Sequence, residues 1–284
     1  MLGASSLVGS CVLPLLRAAG WQVVAFSRQP VESSDGTEWR LLSPSPPAPL
    51  PRGERGVEYW ICVAPIWVLP DYFSLIEASG ARRLVALSST SRFTKVGFGD
   101  TAENAIAAKL IESEARVQAW AEGRGIEWVV LRPTLIYGQG RDKNISEMAR
   151  FIRRFGFFPL LGSAQGLRQP IHAGDVAAAC AAALQAPAAA NRAYNLSGGE
   201  TLAYREMVAR VFAALGRPAR FVSVPLWAFR LAVAMMRRLP RYRHWSAAMA
   251  ERMNRDLVFD HADAARDLGF KPRGFALTAE DVAQ

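Results

Sequence analysis

The chain has 284 residues, 51% of them hydrophobic, enough for one large domain or for a domain carrying a smaller lobe. Its net charge is +9, but no nucleic-acid motif accompanies the basic residues, so nucleic acid is not expected as a partner; an anionic small molecule and peripheral contact with an acidic membrane face are the readings left beside a plain solvated surface. No run reaches the roughly 20 unbroken apolar residues of a spanning helix, no secretory leader is expected, and the scattered Cys11, Cys62 and Cys180, with only three histidines, read as free thiols of a reducing, cytoplasmic compartment rather than a disulfide set or metal site.

The chain opens with Gly3-Ala-Ser-Ser-Leu-Val-Gly9, then an apolar helical pattern, then Trp21-Gln-Val-Val-Ala-Phe-Ser-Arg28. A tight turn, a helix and a strand with a polar tip form the front of a dinucleotide-binding unit. Gly3 permits the turn, and Gly9 lets the helix pack close to the sheet. Between them Ser5, Ser6, Leu7 and Val8 offer backbone N–H groups and the positive helix end to a pyrophosphate. Ser6 stands where a middle glycine is usual. Only Met1-Leu2 remain of the strand that should precede the turn, and a start codon placed too late is the expected reason. At the next strand tip, Ser27-Arg28 replaces the carboxylate that would bind a ribose 2′-hydroxyl. Arginine suits a 2′-phosphate, so NADP(H) is expected over NAD(H).

Strand-like runs follow at 22–26, 38–42, 59–64, 83–88 and 128–132, with helical patterns at 71–79, 103–123 and 145–155. Near-continuous apolar strands alternating with helices predict an α/β fold, a Rossmann-type doubly wound parallel sheet. Proline density from Ser43 to Gly56 forbids a crossover helix there and predicts a loop. Beyond about residue 160 the texture changes. An alanine-rich helix spans 175–185 and a short strand 193–196. A helix at 201–215, capped by Thr201, precedes a strand at 221–224. An apolar helix at 225–239 carries Trp227, Phe229, Met235 and Met236, next to the basic cluster from Arg237 to His244. The expected division is a dinucleotide-binding domain over 1–160 and a smaller C-terminal substrate-binding lobe over 161–284, some of whose segments return to the first unit.

The glycine turn, Leu87-Ser-Ser-Thr-Ser91, Leu131-Arg-Pro-Thr-Leu-Ile-Tyr-Gly138 and Gln169-Pro-Ile-His-Ala-Gly-Asp175 form a specific set. Over nearly the whole chain it resembles the extended or atypical short-chain dehydrogenases/reductases of the NAD-dependent epimerase/dehydratase family. The resemblance implies that Ser89, flanked by Ser88 and Thr90, bonds the reacting oxygen of a substrate. It also implies that Ala64, Pro133, Thr134, Leu135 and Ile136 border the cofactor. Lys109 matches the lysine of a Tyr-x-x-x-Lys pair, which holds the nicotinamide ribose. The tyrosine position is then Ala105, which cannot move a proton. Lys109 itself, Lys95 or Tyr137 could substitute, or the chain could bind NADPH without turnover.

On the substrate side the resemblance sets Arg168 against the phosphates of a nucleotide sugar. The apolar helix at 225–239 points instead to a hydrophobic ketone of steroid or lipid type. His172 is expected to support the backbone and Asp175 to cap the following helix. The expected activity is redox chemistry on a keto or hydroxyl group of a small molecule, first of a nucleotide sugar, with non-catalytic NADPH binding as the other reading. A homodimer is left open.

Overall fold

In the computed structural model, residues 1–31, 36–42, 56–94, 101–225, 227, 229 and 252–283 are described. The proline-rich segment up to residue 55, Lys95 and the helix expected beyond Phe229 lie outside them. Ser6 starts the first helix, α1 (Leu7–Ala18): its Oγ accepts from the Gly9 N–H at 3.1 Å, satisfying one of the free donors of a helix start. The chain then lays down β1 (Val23–Ser27), β2 (Thr37–Leu41) and β3 (Tyr59–Cys62). A 3-10 turn at Ile66–Tyr72 and α2 (Phe73–Ala78) lead to β4 (Arg83–Leu87). The short α3 (Ser91–Thr94) and the long α4 (Thr101–Glu122) then precede β5 (Glu127–Pro133).

These strands pair in parallel, β1 with β2 and β3 with β4 with β5. Leu2 joins the two groups, bridging Phe26 on one flank and Cys62 on the other. The order is therefore β2, β1, Leu2, β3, β4, β5. The direction of winding reverses at Leu2, and in such sheets the ligand crevice opens beyond the strand ends at the reversal.

The chain next leaves the sheet through β6 (Ile136–Tyr137), α5 (Ile145–Phe155), β7 (Phe158–Leu161), β8 (Leu167–Arg168) and β9 (Ile171–His172). It returns with α6 (Ala173–Gln185) and β10 (Arg192–Leu196), which extends the parallel sheet beside β5. Then come β11 (Leu202–Ala203), α7 (Tyr204–Ala214), β12 (Phe221–Val224) and, near the C-terminus, α8 (Ala262–Leu268). The helix expected from Thr201 begins at Tyr204 because Leu202 and Ala203 pair antiparallel with β8; Thr201 does not cap it.

Three apolar clusters fill the molecule. On one face of the sheet, Val8, Val12 and Leu16 of α1 meet Val176, Ala177 and Cys180 of α6, whose small side chains allow close approach. On the other, Leu110, Val117 and Ala121 of α4 cover Trp60, Leu84 and Val130. A third cluster joins Tyr137, Ile145 and Ile152 to Met207, Val211 and Phe212. Thus α5 packs against α7, in a cluster apart from the two that flank the sheet. Among the described residues the three cysteines are free, no His/Cys/Asp/Glu group could hold a metal, and no helix is long and apolar enough to cross a membrane.

Candidate cofactor site and adjoining cleft

Leu2 sets Gly3 level with the ends of β1 and β3. Gly3 has φ +77°, and a Cβ there would lie 2.5 Å from the Ala64 nitrogen. A Cβ on Gly9 would lie 2.3 Å from the Gly3 carbonyl oxygen and 2.5 Å from that of Ala4. Both obstacles are backbone, so only glycine permits this cradle. The first N–H groups of α1 have no intrahelical partner and lie beside it. Ser5 is exposed, Ser6 and Leu7 are half-buried, and Val8 is in the core, so Val8 offers its backbone alone. The arrangement fits a pyrophosphate. Arg28 is exposed just past the tip of β1, where Ser27 Oγ accepts from the Gln29 N–H at 3.2 Å.

Sequence reasoning missed Arg141. It follows Gly138-Gln-Gly140, far from the turn in sequence. Its Nη2 donates to the Ser5 carbonyl at 3.0 Å and its Nη1 to Ser10 Oγ at 3.3 Å. No motif marked it, because the contact spans more than 130 residues.

A cleft of about 330 Å³ continues from the turn. Its floor is Val63, Ala64 and Pro65 after β3 and Leu87, Ser88, Ser89 and Ser91 after β4; Ile66, Trp67, Ile106 and Leu110 wall it. Ala64 belongs to both turn and cleft, so a ligand laid across the turn enters here. Among the described residues, the hydroxyl groups on the lining are those of Ser88, Ser89 and Ser91. Ser88 Oγ is committed, donating to Glu114 Oε1 at 2.5 Å. Ser89 Oγ accepts from the Ser91 N–H at 3.1 Å, which leaves its own proton for a ligand. Thr90 is buried and donates to the Pro133 carbonyl at 3.2 Å. Thr134 Oγ1 donates to the Gln169 carbonyl at 2.5 Å. Pro133, Thr134, Leu135 and Ile136 continue the strand beside β4 without lining this cleft.

The rotation of α4 decides what faces the cleft. Ala107, Leu110, Glu114, Val117 and Ala121 form its buried stripe. Glu114 is 1% exposed and is gripped by Arg132 (Nη2 at 2.6 Å, Nε at 3.0 Å) and by Arg92. That grip turns Ile106 and Leu110 to the cleft, four residues apart. Ala105 and Lys109 are exposed, and the Lys109 ammonium lies over the Trp67 ring, 4.8 Å from its centroid. Lys109, expected to hold the nicotinamide ribose, thus stands at the rim of the cleft.

Three further expectations are corrected. Tyr137 is fully buried, edge-on to His172 and Phe275. Burial pushes its phenol up to about 12, and it does not reach the cleft as a proton donor. Arg168 is 4% exposed, and its Nη1 donates to the carbonyls of Leu167 at 2.7 Å and Arg255 at 2.6 Å. Burial lowers it to about 10, and it ties backbone together instead of facing the cleft. Asp175 does not cap α6: it accepts from the Arg273 N–H at 3.0 Å and Nε at 2.9 Å. His172 does the capping, its Nδ1 accepting from the Gly174 N–H at 3.0 Å, in line with the supporting role expected of it.

The sequence pattern of the NAD dependent epimerase/dehydratase family matches residues 72–197. A (4-alkanoyl-5-oxo-2,5-dihydrofuran-3-yl)methyl phosphate reductase of Streptomyces griseus is 31% identical over 238 residues, 81% of this chain and 78% of its own length. A UDP-glucose 4-epimerase of Vibrio cholerae is 26% identical over 178 residues, 61% of this chain; the match spans 52% of the epimerase. The solved structure of MoeE5 in complex with UDP-glucuronic acid and NAD has the same fold, with a TM-score of 0.68 at 19% identity over 99% of this chain and 95% of that one.

Proposed function

Because this chain belongs to the NAD-dependent epimerase/dehydratase family, we propose that it binds NADP(H) across the Gly3–Gly9 turn and holds it without the proton relay of a carbonyl reductase. One observation carries this reading: the cleft wall at the spacing of four on α4 is Ile106 and Leu110, and among the described residues no titratable side chain lines the cleft. Bound NADP(H) would supply a hydride donor or acceptor at its nicotinamide ring. The chain's own part is to cradle the pyrophosphate with the turn, to meet the 2′-phosphate with Arg28, and to seat the second nucleoside between Ala64, Trp67 and Leu110. Ser89 can donate one hydrogen bond there. The apolar wall excludes water but moves no proton. The buried Arg168 offers no guanidinium to a nucleotide sugar, so that substrate is supported by the likeness to the epimerases and not by this residue.

A second reading, reduction of a hydrophobic carbonyl or alkene, has the apolar lining and the 31%-identical reductase in its favour. The test is a titration with NADPH followed by fluorescence, then mixing of the complex with a panel of nucleotide sugars and hydrophobic ketones. Tight binding with no loss of reduced-nicotinamide absorbance is expected. Oxidation that depends on a ketone would replace the first reading by the second.

A further inference from the structure

We infer that Arg141 is a cofactor-binding residue, a guanidinium set beside the glycine turn where it would grip the pyrophosphate. The inference rests on the NADP(H) reading and adds to it a group from the loop between β6 and α5. Arg141 is held at the start of α1 by two neutral acceptors, the Ser5 carbonyl and Ser10 Oγ. No carboxylate pairs with it among the described residues. The adjacent Asp142 is spent on the start of α5, where its Oδ1 accepts from the N–H groups of Asn144 and Ile145 at 2.7 and 2.6 Å. The first turn of α1 carries no acidic residue either. A cation is thus fixed beside the positive end of a helix dipole, an arrangement of the wrong sign unless an anion comes between them. A pyrophosphate seated on the turn would supply that anion and accept from the guanidinium fork.

The placement is rigid. Gly140 packs so tightly that a Cβ would lie 2.1 Å from the Ala283 carbonyl oxygen, and the Gln139 N–H donates to Asp281 Oδ1 at 3.1 Å. Gln139 also reaches α1, its Nε2 3.3 Å from Cys11 Sγ. The loop that carries Arg141 is therefore anchored both on the C-terminal segment and on α1.

The experiment compares NADPH and NADH affinities by calorimetry in the wild-type protein, Arg141→Ala, Arg141→Lys and Arg28→Ala. Both dinucleotides carry the pyrophosphate, so Arg141→Ala should weaken both by the same factor, roughly 10- to 100-fold. Arg141→Lys, which keeps the charge and loses the fork, should fall between. Arg28→Ala should weaken NADPH alone. Inorganic pyrophosphate should displace NADPH from the wild-type protein and do so less well from Arg141→Ala. Unchanged affinities in Arg141→Ala, or a loss confined to NADPH, would overturn the clamp while leaving cofactor binding standing. A wild-type protein that binds neither dinucleotide would overturn the NADP(H) reading and the clamp together.

Discussion

Replacing Glu114 should loosen the whole wall of the cleft. Its carboxylate is almost fully buried and takes Ser88 Oγ at 2.5 Å, two nitrogens of Arg132 and one of Arg92. Removing one member of a buried ion pair costs about 3–5 kcal/mol, because the partner charge stays behind unpaired. Here two guanidiniums are left, but their side chains keep 15% and 20% of their exposure, and both lie over the Phe93 ring. That residual hydration and ring contact put Glu114→Leu near the lower end, at about 3 kcal/mol. Glu114→Gln keeps an amide oxygen that accepts from one guanidinium, and should lose about half as much. Urea unfolding followed by circular dichroism gives the difference from the shift in midpoint, with the slope as a check on the end states. A Glu114→Leu protein within about 1 kcal/mol of wild type, with an unchanged slope, would refute the claim that this carboxylate sets the rotation of α4.

Gly9→Ala would drive a Cβ into two backbone oxygens of the turn; overpacking of this kind costs about 1–3 kcal/mol, and both the melting temperature and NADPH affinity should fall. Ile106→Tyr with Leu110→Lys puts a phenol and an ammonium at the spacing of four on the cleft wall. NADPH oxidation with a hydrophobic ketone should then rise above the wild-type rate, and no rise would show that this cleft does not seat the nicotinamide. In a chain beginning with a free amine at Met1, burial lowers that ammonium to about 5 from the ordinary 8.0. The unfolded chain then binds more protons between those values, so stability should increase as pH rises from about 5 to 8, read as a rising urea midpoint; a flat profile would contradict the burial. Arg28→Ala should cost NADPH binding about 1.5–3 kcal/mol and spare NADH.

Much of the scaffold was legible. The glycine turn, the run of parallel strands and the boundaries of α5 follow from periodicity and from backbone needs that only certain residues meet. The phase of α4 was legible too, but the signal lay elsewhere than the motif. Any helix contains residues four apart, so Lys109 could be matched to a family lysine without regard to the face it occupies. The apolar stripe through Ala107, Leu110, Val117 and Ala121 puts Lys109 outside it and Glu114 within it. An acidic residue on an otherwise apolar stripe demands a buried partner, and Arg132 in the Leu-Arg-Pro segment supplies it. Arg168 and Arg141 were not legible in this way. One is neutralised by carbonyls at Leu167 and Arg255, the other is brought to Ser5 and Ser10, and neither juxtaposition leaves a local trace in the sequence.

The seam at Leu2 has a consequence for how the molecule opens. The β1–β2 pair is held to the seam by the Met1 amine on the Val24 carbonyl and the Phe26 N–H on the Met1 carbonyl. On the far side, Leu2 N–H meets the Ile61 carbonyl and Val63 N–H the Leu2 carbonyl. Beyond this suture β1 and β2 form the outer flank of the sheet, whose amides should exchange with deuterium at a lower opening free energy than those of the interior strands β4 and β5. A dinucleotide bound as proposed, from Arg28 to the cleft, would lie across that suture. Its binding energy should therefore appear first as slowed exchange in β1 and β2, leaving the interior of the sheet nearly unchanged.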